Sequence, residues 1–272
     1  MKRIAIVLLC LMSNGTIAQI NCNVYKYKHD DDCFKACEIA NEAAEQQGSG
    51  LSQKQFDQAI KLCPTSDYAY VEKSVPYLKR GDFITWRKLI DQGVALNPAG
   101  HLGYRGWCRY QFLRDYKGAI QDIEKLDSLV SYDLGYSSNG DYHLNFARAL
   151  CYKAVGEKQK AMNIMEEQLS KEGYTPMIFD YYHLGVVKYE LGDTKGAMET
   201  FKKQIAYNDY MAETYYYQGL IYKKEGNRAE YMTAMQKAKA FYLKGYHHRD
   251  SYTIPCDQVY LADIESELKA IK

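Results

Sequence analysis

The sequence predicts an all-α fold, a right-handed α-solenoid of about six helix–turn–helix repeats closed by a C-terminal capping helix. Three observations predict it. The stretch "FDQAIKLCP" (Phe56 to Pro64) returns 34 residues later as "IDQGVALNP" (Ile90 to Pro98). A large apolar residue recurs at Phe56, Ile90, Ile123, Met165, Phe201 and Met235, at intervals of 34, 33, 42, 36 and 34 residues. Small residues keep the same phase: Gly106, Ala149, Gly185 and Gly219 leave room for a neighbouring helix. Gly81, Gly156, Gly192 and Gly226 stand where a turn needs positive φ at a helix end. A period of this length marks stacked two-helix units, because one unit cannot bury its own apolar stripe.

In chain order, residues 1–18 read as a signal peptide. Lys2 and Arg3 precede a short apolar run, Ile4 to Met12, and small residues at Thr16 to Ala18 precede a cut after Ala18. The run is too short to span a bilayer, and no later segment is long and apolar enough to do so. Neither Cys10, after Leu9, nor Cys22, after Asn21, follows a small residue as a lipid-anchored Cys does. Residues 19–30 form an N-terminal extension. Six units follow, at about 31–66, 67–99, 100–134, 142–175, 178–211 and 212–245. The 42-residue interval is explained by "SYDLGYSSNGDYH" (Ser131 to His143), whose Gly, Ser and Asn content marks an extended loop. The third unit, "YRGWCRYQFLRDYKGAIQDIEKL" (Tyr104 to Leu126), carries one extra residue before its turn. Residues 246–272 read as a loop, "YHHRDSYTIPCDQ", and a capping helix over Asp257 to Ile271 with Val259, Tyr260, Ile264, Leu268 and Ile271 on its apolar side.

The composition excludes some functions. The net charge of +1 becomes −1 when Lys2 and Arg3 leave, so the basic footprint of nucleic-acid binding is missing. Tyrosine is abundant at 27 residues, and its ring packs while its hydroxyl still bonds, which suits helix seams and contact surfaces alike. Seven Cys remain after loss of Cys10: 22, 33, 37, 63, 108, 151 and 256. An exported chain can keep disulfides, but an odd count leaves at least one thiol unpaired. Cys37 with Cys63, across the two helices of the first unit, is the candidate pair. Cys108 and Cys151 read as buried thiols.

No phosphate cradle, nucleophile elbow or HExxH motif occurs, so no catalytic residue and no cofactor is expected. Two clusters could hold a metal or small molecule: "HDDDCFKAC" (His29 to Cys37), containing the Asp30–Cys37 run, and the His247/His248 pair near Cys256. The simpler reading makes Asp30 to Asp32 a cap and charge complement for the first helix, and the adjacent His pair a polar connector. No metal site is assigned.

The repeat resembles the tetratricopeptide repeat. The fifth unit matches that family's pattern through Tyr181, Leu184, Gly185, Gly192, Asp193, Ala197 and Phe201, and the second through Tyr70, Tyr77, Gly81, Asp82 and Pro98. The first unit departs from it, with a loose Gly-Ser-Gly in place of the turn. The resemblance implies a concave face lined by first helices and a protein or peptide partner. Carried over by position, it implies contact residues at Tyr68, Trp107, Gln111, Phe112, His143, Phe146, Lys153, Tyr182, Tyr189, Glu190, Tyr216, Lys223 and Lys224. It does not imply a chaperone-tail adaptor. The matching carboxylate-clamp places hold Val71 and Val75, Phe146 and Leu150, and Tyr182 and Val186. The expected protein is a non-enzymatic, exported, periplasmic or extracellular scaffold, with a cell-envelope or secretion assembly as its expected setting. The alternatives are activity at the Asp30–Cys37 or His247/His248 clusters and a self-assembling structural spacer.

Overall fold

The computed structural model describes residues 20–270. The signal-peptide reading (residues 1–18) and Ile271 of the capping helix lie outside them. Among the described residues the chain is helical, the one β-feature being a single antiparallel bridge between Tyr136 and His143. It divides into two compact units between Leu96 and Asn97.

The first unit contains α1 (Asn23–Tyr27), α2 (Asp31–Glu45), α3 (Gly50–Leu62), α4 (Asp67–Lys79) and α5 (Phe83–Leu96). Asp30 caps α2 by accepting the Cys33 N–H at 3.0 Å, and Asp31 and Asp32 lie in the positive first turn. Ser49 caps α3 in the same way. Phe56, Ala36, Ala40 and Ala59 form the core between α2 and α3.

Two disulfides close this unit, and they correct the sequence-based pairing. Cys63 bonds Cys33, and Cys37 bonds Cys22; Cys37 and Cys63 are not partners. Cys33 stands one turn before Cys37 on α2, with its Cα 4.8 Å from that of Cys63. The short α1 packs on α2 and brings the Cys22 Cα within 5.6 Å of Cys37. The bridges span 15 and 30 residues of sequence, for which loop-closure entropy gives about 3–4 kcal/mol each. Reduction with tris(carboxyethyl)phosphine is therefore expected to melt the first unit well below the second. A biphasic thermal transition by far-ultraviolet circular dichroism, absent without reductant, is the readout.

The second unit contains α6 (Pro98–Cys108), α7 (Tyr116–Leu129), α8 (Leu144–Ala154), α9 (Lys158–Ser170), α10 (Asp180–Glu190), α11 (Thr194–Tyr207), α12 (Ala212–Lys224), α13 (Arg228–Leu243) and α14 (Leu261–Ala270). The helices pack as successive antiparallel pairs, α6 with α7 through α12 with α13. Asn97, Asp115, Asp193 and Asn227 cap α6, α7, α11 and α13 by accepting backbone N–H groups. The extra residue of the third repeat is absorbed by a π-helical turn, Arg109–Leu113, which continues α6 and ends at Arg114 in the left-handed region.

All six recurring apolar positions are fully buried, each 0 % exposed: Phe56, Ile90, Ile123, Met165, Phe201 and Met235. The small-residue step has a direct steric cause. A Cβ on Gly185 would meet the Phe201 ring at 2.4 Å, so the absence of a side chain on α10 lets the α11 anchor lie flat against it. The turn residue Gly192 takes φ 88°, as the end of α10 requires. The C-terminal helix starts at Leu261 rather than Asp257. Asp257 lies at φ 60°, outside helical space, and Val259 packs against Tyr215, Ala238 and Ile264 from the loop.

Candidate functional site

The first helices of the second unit carry the site, and the segment between α13 and α14 occupies it. Gly245 (φ 80°) turns the chain back at the end of α13. The Tyr246 carbonyl then accepts the Ala212 N–H at 2.8 Å, at the start of α12. His248 donates its N–H to Glu213 Oε1 at 2.8 Å and stacks on Phe179, with ring centroids 3.9 Å apart. The segment continues across to the end of α6, where Gln111 donates to the Thr253 hydroxyl at 2.9 Å and Arg114 donates to the Ile254 carbonyl. It then returns between α8 and α10 to Val259.

Asp257 closes the return. Its carboxylate accepts from Lys153 of α8 and, at 2.8 Å, from His183 Nδ1 of α10, while its carbonyl accepts the Tyr182 hydroxyl. The Lys153 side chain is 8 % exposed and that of Asp257 6 %. Burial alone would raise the Asp257 carboxyl. The His183 hydrogen bond and the Lys153 charge outweigh it and hold the group well below the usual carboxylate range. Burial would likewise lower Lys153, and the Asp257 charge overrides it. Lys153 also pairs with Glu190 at 3.0 Å, and Glu190 with Lys158 at 3.0 Å. The Tyr142 hydroxyl lies 3.4 Å from both His183 Nε2 and His248 Nε2, joining loop and helices in one polar layer.

This layer has the residue types of an acid–base site but is shaped for holding. Enclosure, then the neighbouring Asp257, raise the Cys256 thiol, which disfavours a thiolate nucleophile. Burial also raises the Cys108 and Cys151 thiols.

The contact residues inferred from the resemblance fall into three groups. Gln111, Lys153, Glu190 and Tyr182 come together at the loop. His143, Phe146, Trp107 and Tyr182 are buried. His143 caps α8 through the Asn145 N–H and pairs with Asp133, Phe146 is core, and Trp107 packs edge-on to Phe112 at 5.5 Å. Their burial is a correction to a solvent-facing reading: these side chains fill seams between helices. Tyr216, Lys223 and Lys224 lie on α12; Lys223 pairs with Glu267 of α14 at 2.6 Å, and Lys224 covers the Tyr189 ring at 4.0 Å. Tyr216 packs half-buried near Leu268, and Tyr68, in the first unit, is half-buried against the core of α2 and α3.

The alternative sites are altered by the fold. Cys33 and Cys37 are both consumed by disulfides and Asp30 by its cap, so the Asp30–Cys37 cluster offers no thiolate ligands. His247 stacks on Tyr242 at 4.2 Å while its neighbour His248 stacks on Phe179, so the pair faces two surroundings. Among the described residues no three His, Cys, Asp or Glu side chains converge as a metal site.

Two buried carboxyls give the unit a pH dependence. Burial pushes Asp180 up to about 7 despite bonds from the Tyr174 hydroxyl and the Met177 N–H, and pushes Glu213 up to about 7, with Oε2 left unbonded. A raised folded value means the stability is present below the unfolded value and lost as pH rises toward 7 and beyond. His248 works in the opposite direction. Burial, then His183, lower it to about 3, so its contribution is full above the ordinary His value and lost as pH falls. Glu213→Gln keeps an acceptor for the His248 N–H and removes the ionisation. Its stability relative to the unsubstituted chain is expected to rise between pH 5 and pH 8, by up to about 3 kcal/mol. Thermal melts at the two pH values check this, and a gap that does not widen contradicts it.

Comparisons with known proteins agree with the fold. Residues 181–209 match the family described as tetratricopeptide repeat. The chain is 25 % identical over 190 residues to the Protein CTR9 homolog of Arabidopsis thaliana, a match covering 67 % of this chain and 17 % of that protein. Among solved structures, PilF of Pseudomonas aeruginosa superposes with a TM-score of 0.60 at 12 % identity, over 79 % of this chain and 94 % of PilF. PilW, a type IV pilus biogenesis factor, gives 0.60 at 16 % identity, over 78 % and 94 %. By its fold and by the match at residues 181–209, the chain is similar to tetratricopeptide-repeat proteins.

Proposed function

We propose that the protein is an exported, non-enzymatic scaffold, periplasmic or extracellular, that binds a protein or peptide partner along the first helices of its repeats. The observation that carries this reading is the loop of residues 246–260. First helices from four successive hairpins of the second unit already hold a bent, non-helical segment through backbone and side-chain bonds. A face that holds one non-helical chain through its main chain has the chemistry to hold another. Export is supported by the basic, apolar and small-residue order of residues 1–18 and by the two disulfides, which persist in oxidising compartments. Service in a cell-envelope or secretion assembly is supported only by the shared fold with PilW. Among the described residues no helix is long and apolar enough to cross a membrane.

The test is affinity capture from the envelope fraction of the native host with the tagged full chain. It is repeated with Lys224→Glu and Tyr189→Ala combined, the exposed lysine and the half-buried ring it covers beside the groove. A protein recovered in stoichiometric amount by the unsubstituted chain and lost with the double variant supports the reading. Equal recovery by both removes these first-helix positions from it, and no stoichiometric partner removes the scaffold.

A further inference from the structure

We infer that the groove of the second unit is a receptor for an extended peptide bearing an internal acidic side chain, and that residues 249–257 occupy it as a built-in competitor. The inference rests on the scaffold reading above and names the partner's chemistry. Three observations carry it.

The receiving groups belong to the repeats and not to the loop. Lys153 on α8, Tyr182 and His183 on α10, and Gln111 and Arg114 at the end of α6 converge from three hairpins. Lys153 is tied to Glu190, itself tied to Lys158, so the ammonium keeps a fixed place when the loop leaves. A cation and an imidazole fixed on packed helices form a ready carboxylate site.

The groove reads the main chain and one carboxylate; of the loop's apolar residues it buries Pro255 and encloses Cys256 but leaves Tyr252 and Ile254 outside. Arg114 and Tyr182 take carbonyls, and Gln111 takes a hydroxyl. Meanwhile Tyr252 is 72 % and Ile254 58 % exposed. Main-chain recognition with a single charged anchor accepts many extended sequences, provided that an Asp or Glu stands at the anchor.

The loop's own fit is strained. Asp257 adopts φ 60°, a region that non-glycine residues enter only at a cost. A separate peptide that presents its carboxylate from an ordinary extended backbone avoids that cost. The loop is fixed at His248 and Val259, both buried, so the stretch between them can lift away while α14 stays docked.

The experiment replaces residues 249–257 in the full chain with a nine-residue Gly/Ser run. The probe is a synthetic, end-blocked peptide of residues 247–259 carrying Cys256→Ser, and titration is followed by calorimetry. Saturable one-to-one binding is expected, weakened at least tenfold by Asp257→Asn in the peptide or Lys153→Met in the chain. Lys202→Met, on the exposed side of α11, leaves it unchanged. The unsubstituted chain is expected to take up the peptide at least tenfold more weakly, because its own loop competes at high effective concentration. A folded loop-replaced chain that binds nothing, or binds the Asn peptide equally well, overturns the inference. Dimers in native mass spectrometry that exclude the peptide assign the groove to a second copy and also overturn it. If the loop-replaced chain fails to fold, Asp257→Asn in the intact chain is followed by hydrogen exchange. Lost protection confined to the loop supports a displaceable segment; unchanged protection, or loss extending through α8 and α10, overturns it. Capture of a partner without peptide binding removes this inference alone, whereas peptide binding without a partner removes the scaffold reading.

Discussion

Asp257→Ala is expected to lower the melting temperature of the second unit by roughly 6–12 °C. The carboxylate sits between Lys153 and His183 with its side chain 6 % exposed. Deleting one member of a buried ion pair typically costs about 3–5 kcal/mol, because the remaining charge stays buried without its partner. Here Glu190 still faces Lys153, which places the loss toward the lower end. For a unit of this size, 1 kcal/mol moves the midpoint by about 2–4 °C. Two comparisons isolate the cause. Asp257→Ala combined with Lys153→Met should recover part of the loss, since both charges are then gone. Asp250→Ala, on the exposed arm of the same loop, should change the midpoint far less. Its carboxylate accepts only local N–H groups and the Thr253 hydroxyl. If Asp257→Ala melts with the unsubstituted chain, the latch described above does not hold the loop.

Tyr182→Ala is expected to destabilise the unit by about 3–5 kcal/mol, the range for removing a large buried aromatic side chain. Tyr182→Phe should cost only about 1 kcal/mol, the net value of one hydrogen bond. The ring is 0 % exposed, lies 6.2 Å from the Tyr217 ring centre, and reaches the Asp257 carbonyl with its hydroxyl. Equilibrium urea unfolding of both variants separates ring from hydroxyl. This pair also bears on what the resemblance implies for Tyr182. A surface ring would lose binding without losing stability, whereas this one joins core to groove, so Ala should cost both.

The periodic part of the fold was legible in the sequence because periodicity reports local physics. Phe56, Ile90, Ile123, Met165, Phe201 and Met235 announce themselves by spacing, and all are fully buried. The turn glycines were legible for the same reason, whereas the caps Asp115, Asp193 and Asn227 emerged only with the structure. What escaped does not repeat. Cys22 lies in an extension outside the repeats, so nothing in the phase of Cys33 or Cys37 said which of them it would meet. The π-helical turn showed only as a misfit of one residue near Cys108. His183 and Asp257 are 74 residues apart in sequence, and Gln111 and Thr253 are 142 apart. Each looks like an unphased polar residue until the helices are assembled. The one available clue was compositional: a carboxylate beside Pro255 and Cys256 in a segment lacking helical rhythm.

The order of manufacture gives that 142-residue separation a temporal meaning. A chain that emerges N-terminus first into the compartment where it folds presents Gln111, Lys153 and His183 before Thr253 and Asp257, and domains tend to consolidate from the N-terminal side as they emerge. A newborn copy emerging in this order passes through an interval in which the receiving helices are present and the loop that fills them is not. During that interval a foreign strand meets no rival, so first occupancy can be decided by timing before it is decided by affinity.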